Sequence, residues 1–186
     1  MNDGGKNDPL PVKSQEQAEQ AARGLIDSLA AEYGVKADGK TVNKEFRDCH
    51  GKDGESSDDG RFILSYAVRA PVPEAEHGKA VRAMRRKLEA DGYKVSGYRE
   101  DKTKKPWALL DAKGGRDRLF ISVQSYVPPD QLTFSVTTPC FLPPGVKQEQ
   151  VSAPAPATAS AAVPTTSVLA AGPGGSPNRF PDNPFG

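Results

Sequence analysis

The chain has little of what catalytic, metal-binding or membrane-spanning proteins usually display. Its 186 residues include two cysteines, two histidines and one tryptophan. Cys49 and His50 are adjacent, and no C-x2-C or H-x3-H spacing occurs, so the ligand geometry of a zinc site is missing. There is no G-x-S-x-G elbow, Gly-rich phosphate loop or H-E-x-x-H. No apolar run approaches the ~18–20 residues that span a bilayer. The opening MNDGGKNDPLP has no apolar stretch and reads as no signal peptide. A net charge of +1 gives the whole molecule no long-range pull on nucleic acid or acidic lipid. These absences argue against an enzyme, and they lead us to expect no cofactor, no metal site and no catalytic residue.

Hydrophobic residues make up 36% of the chain, below the usual ~45–50%, and they are unevenly spread. Most of them, with Trp107, fall between Val42 and Phe141. The composition therefore predicts a flexible leader over 1–13, a folded domain over 14–142 and a Pro/Ala-rich tail over 143–186. The tail has no usable apolar period. It cannot bury enough surface to offset a chain entropy of ~1–2 kcal/mol per residue, so it is expected to be disordered. Phe180 and Phe185 are its only aromatics.

Within the domain, SQEQAEQAARGLIDSLAAEYG reads as a helix. Ser14 and Gln17 have capping-box spacing, Ala18, Ala21, Ala22, Leu25, Leu29 and Tyr33 share one face, and Gly34 suits the stop. KTVNKEFRDC alternates as a short strand, and RFILSYAVR places Phe62, Leu64, Tyr66 and Val68 on one side until Pro71 and Pro73 end it. PEAEHGKAVRAMRRKLEADG is a second helix, with acids first, bases last and Gly92 beyond. YKVSGYR, PWALLDA, RLFISVQSYV and QLTFSVTTPC then follow as strands joined by turn-forming segments. The order α-β-β-α-β-β-β-β predicts an α+β two-layer sandwich, a mostly antiparallel sheet with two helices on one face. Ser122, Gln124, Gln131, Thr133, Ser135 and Thr137 suit its wetter face.

Three stretches are candidates for function. RDCHGKDGESSDDG holds a cysteine, a histidine and several acids, but adjacent residues on a strand point to opposite sides, so His50 is badly placed to activate Cys49. A calcium loop counted from Asp53 would need Gly at its sixth position and Glu at its twelfth, where Asp58 and Leu64 stand. Asp53, Glu55, Asp58 and Asp59 therefore read as a solvated acidic loop. His77 lies on the Val81–Met84–Leu88 face of the second helix and reads as a partly buried packing residue. Arg82, Arg85, Arg86 and Lys87 form a basic cluster in a stretch, Lys79 to Arg118, with thirteen Lys/Arg against six Asp/Glu. That cluster is a possible interaction surface, though charges on outer faces also serve solubility.

Cys49 and Cys140, each at the end of a strand, are either two reduced thiols in a cytosolic protein or one disulfide in an exported one. Their positions favour the disulfide, with the first strand beside the last or at its end. The polar leader, the strand ending in Cys49, the helix running into "DGY" and the last strand closing with "TTPC" resemble small exported lipoproteins of actinobacteria. That resemblance implies a removed signal peptide and a lipid-bearing Cys where Met1 stands, with NDGGKNDP as spacer. It also implies a membrane-anchored or secreted location in the cell envelope and, for some members, accessory regulation of envelope-stress signalling. We therefore expect a monomeric, non-catalytic extracytoplasmic domain that binds a protein or cell-envelope component rather than nucleic acid. The alternative is a cytosolic adaptor meeting an acidic partner or nucleic acid through Arg82, Arg85, Arg86 and Lys87.

Overall fold

Ser14 opens the first helix, α1 (Gln15–Glu32), by the reciprocal pairing its spacing implies. Ser14 Oγ accepts from Gln17 N at 3.1 Å, and Gln17 Oε1 accepts from Ser14 N at 3.0 Å. A computed structural model describes residues 7–50 and 55–150. The expectations for 1–6 and 151–186, and those for Asp53, Phe180 and Phe185, lie outside the described residues. Helix α1 ends as Gly34 takes a φ of 71°, a left-handed conformation that costs glycine nothing. Its buried face is Ala18, Ala22, Ile26, Leu29 and Ala30. Small alanines bring it close to the sheet while burying little area each.

Strands β1 (Asp38–Asp48) and β2 (Phe62–Pro71) form an antiparallel hairpin. A 3-10 turn over Glu74–Glu76 leads into α2 (His77–Ala90), whose residues His77, Val81, Met84 and Leu88 are fully buried. Gly92, at φ 80°, closes it. Strands β3 (Lys94–Glu100), β4 (Ala108–Gly114), β5 (Leu119–Tyr126) and β6 (Gln131–Thr137) follow as an antiparallel meander. β6 returns to pair with β2, giving the order β1-β2-β6-β5-β4-β3 with every pair antiparallel. The fold is the α+β two-layer sandwich anticipated from the residue pattern. Helix α1 lies over β2 and β6, α2 lies over β3 and β4, and the helices touch each other.

The core sits between these layers. Phe62, Leu64, Tyr66, Val68 and Ala70 alternate inward along β2, as do Leu132, Phe134 and Val136 along β6. Each fully buried Leu or Phe contributes ~1.5–3 kcal/mol through removal from water. The opposite sheet face carries the hydroxyl and amide groups. Asp111, Ser122, Ser135, Ala67 and Asn43 form one row across five strands, and Leu109, Gln124, Thr133 and Arg69 form another across four. No described element covers that face.

Of the two places open to the first strand, beside the last or at its end, the structure takes the second: β2 stands between β1 and β6, and Cys49 and Cys140 meet just past their ends. One expectation needs correction, because the folded region is wider than 14–142. Lys13 N donates to Leu142 O and Leu142 N to Pro11 O, both at 3.0 Å, making a short parallel bridge. Leu10 N donates to Gln148 Oε1 at 2.8 Å. The end of the leader and the start of the tail are thus hydrogen-bonded to the domain. Backbone amides leaving a sheet edge need partners, and these two segments supply them to each other.

Candidate functional site

Cys49 directly follows β1, and its N–H donates to Arg61 O at 3.3 Å. Phe62 and Phe141 exchange N–H to O=C bonds of 2.9 Å each, so Cys140 arrives at the same corner from the other side of β2. The two cysteines form a disulfide with Cα atoms 5.9 Å apart, inside the usual range. Phe62 packs edge-on to Phe46 and to Phe141, with ring centres 5.6 and 6.1 Å away. Both sulfurs are engaged and both cysteines are buried. In this state Cys49 is neither a nucleophile nor a metal ligand. His50 is exposed beside it.

The acidic stretch departs from the solvated loop expected of it. Asp59 is only 6% exposed and Arg61 only 7%. Arg61 Nε donates to Asp59 Oδ1 at 2.7 Å, and Arg61 Nη2 donates to Asp59 Oδ2. Arg61 N and Glu149 N also donate to the carboxylate, at 3.2 and 2.9 Å, and Arg61 Nη2 reaches Glu149 O at 2.8 Å. The Arg61 guanidinium, aided by the backbone N–H groups, holds the Asp59 carboxyl well below the usual carboxylate range despite its burial. The Asp59–Arg61 pair is therefore a clamp that fastens the segment after β6 to the β1–β2 connection. Ser57 and the Asp58 N–H add bonds of 3.0 and 3.2 Å to the Glu149 carboxylate.

Arg82, Arg85 and Lys87 are each ion-paired. Arg82 Nη1 meets Glu100 Oε2 at 2.5 Å, Arg85 Nε meets Glu89 at 2.8 Å and Lys87 Nζ meets Asp91 at 3.0 Å. The Arg85 guanidinium also lies 4.7 Å from the centre of the Tyr98 ring. Tyr98 Oη donates to Glu100, and burial together with that acid pushes its pKa up to about 12. Arg86 is exposed and has no ion-pair partner among the described residues. Local acids thus offset most of the positive charge that the sequence places on this helix.

His77 is more deeply placed than expected, with no exposed surface. Its Nε2 lies 2.8 Å from Val72 O, to which it donates, and its ring stacks on Trp107 with centres 5.9 Å apart. His77 Nδ1 and Trp107 Nε1 are buried without a hydrogen-bond partner among the described residues. The pair fixes the entry of α2 against the β3–β4 connection, with Gly78 close to both Glu100 and Trp107.

No family model, curated protein or solved structure matches the chain. Among the described residues, no helix is long and apolar enough to cross a membrane.

Proposed function

We propose that this chain is the extracytoplasmic part of a lipid-tethered or secreted protein, and that it works by binding a protein or cell-envelope component rather than by catalysis. The observation that carries the location is the disulfide. The only two cysteines are joined and buried, and such bonds persist in oxidising compartments. The groups that could serve catalysis are otherwise employed. Cys49 is in the bond, His77 is held between Val72 O and Trp107, and Asp59 is spent on Arg61.

The uncovered sheet face is where we place the partner. It offers hydroxyl and amide groups from β2, β5 and β6, with Phe120 and Tyr126 exposed along β5. The resemblance to actinobacterial lipoproteins supports the tether and an accessory role in envelope-stress signalling. The ion pairs on α2 count against the adaptor reading, since they leave little free positive charge for an acidic partner.

The test is metabolic labelling of cells carrying the native gene with an alkyne fatty acid, combined with protease treatment of intact cells. The reading predicts a labelled, protease-accessible protein if tethered, or an unlabelled protein in the medium if secreted. An unlabelled protein that is protected until the cells are lysed contradicts it.

A further inference from the structure

We propose that the groove between α1 and the β1–β2 hairpin is a binding site for a small zwitterion, an amino acid or short peptide with free ends. Helix α1 sends Glu19, Arg23 and Asp27, each four residues from the next, along one stripe facing Lys44 of β1 and Tyr66 of β2. Between them is a cavity of about 290 Å³, floored by the buried side chains of Ile26 and Val68. That volume lies at the small end of ligand pockets, which usually run ~300–1,000 Å³.

Tyr66 is the observation that points to a ligand. It is only 5% exposed, its hydroxyl bonds to no described residue, and that oxygen is not among the sealed polar atoms of the domain, so what Tyr66 exposes is its polar end. Other tyrosines of this domain do find a partner: Tyr33 Oη donates to Glu76 at 2.5 Å and Tyr98 Oη donates to Glu100. Tyr66 lines the cavity, so its O–H is open to a molecule held there.

The charges around the groove suit a molecule that carries both signs. Glu19 and Lys44 are tightly paired at 2.7 Å, but Arg23 and Asp27 are 3.6 Å apart, beyond a hydrogen bond, with both side chains more than half exposed. That loose pair is free to exchange partners. A ligand carboxylate takes Arg23 and the Tyr66 hydroxyl, and its ammonium takes Asp27. Its apolar part rests on Ile26 and Val68. Two acids and two bases cancel, so polyanions and polycations gain nothing here. The site stands whether or not the chain is exported.

The experiment is an amide chemical-shift titration of the full chain with glycine, L-alanine, D-alanine and L-alanyl-L-alanine, and with the N-acetylated and C-amidated dipeptide. We expect saturable shifts in α1 and β1–β2 for at least one free zwitterion. Capping either end should weaken binding roughly tenfold or more, as should Tyr66→Phe and Arg23→Gln, because each removes a hydrogen bond to a charged group. Arg23 is exposed enough for its variant to fold normally, so it decides the matter if Tyr66→Phe does not. Saturation by none of the four zwitterions overturns the proposal. So does binding that is indifferent to capping and to Arg23→Gln.

Discussion

Replacing Arg61 with Ala removes the cation from a carboxylate that is only 6% exposed. Two side-chain hydrogen bonds to Asp59 and the bond to Glu149 O disappear together. Asp59 keeps the N–H groups of residue 61 and Glu149, but its charge is left inside without a counterion. Breaking a buried ion pair from one side costs about 3–5 kcal/mol, whereas exposed pairs usually contribute at most ~1 kcal/mol. We expect a loss in the upper range in urea melts at pH 7, because the clamp also fastens the segment after β6.

The pH dependence carries a second signature of the same pair. The folded-state pKa of Asp59 is depressed, so its contribution is fully present above its unfolded value, about pH 4, and is lost as pH falls below that. Wild type should therefore lose stability below about pH 4 more steeply than Asp59→Asn, which has no carboxyl to protonate. An Arg61→Ala variant within ~1 kcal/mol of wild type, or parallel acid profiles for wild type and Asp59→Asn, would refute the clamp.

Three further outcomes follow from the packing. Cys49→Ser opens a loop closed across 91 residues, which the chain-entropy relation values at about 4.6 kcal/mol; chemical denaturation against wild type without reductant should show a loss near that size, and His50→Ala should stay within ~0.5 kcal/mol. Stopping the chain after Leu142 removes Gln148 and Glu149, so its Tm should fall several degrees below that of a chain stopped after Gln150, as scanning calorimetry would show; equal values would contradict the role given to those contacts. Gly115→Ala puts a side chain at φ 73° and into the Tyr93 hydroxyl, and should cost about 1–3 kcal/mol in a thermal melt.

Elements with a strong repeating pattern were legible in the sequence. Period-two alternation along Phe62–Val68 shows which face of β2 enters the core, and the Ser14–Gln17 spacing marks the start of α1. The cysteines could be paired because both fall where strands end. What escaped was held by contacts without a period. Asp59 lies among other acids and looks solvated, while its partner Arg61 looks like the ordinary polar start of a strand. Only the return of the chain after β6 buries them together. The segment Pro143–Gln150 has the composition of a tail, but three side-chain to backbone bonds through Gln148, Asp59 and Arg61 fasten it. The place of β2 between β1 and β6 was hidden for a related reason. Local pattern defines hairpins, and the long-range choice of neighbour for β6 depends on how α1 and α2 share one face.

An extracytoplasmic domain of this build has Cys49 and Cys140 joined where the protein works. The direct measurement is acid quenching of cells and medium carrying the native gene, alkylation without reductant, tryptic digestion and mass spectrometry. A disulfide-joined domain yields peptide 48–52 linked to peptide 119–147, with neither cysteine alkylated until reductant is added. Recovery of both peptides separately, each alkylated at its cysteine, would contradict both the disulfide in the cell and the extracytoplasmic location inferred from it.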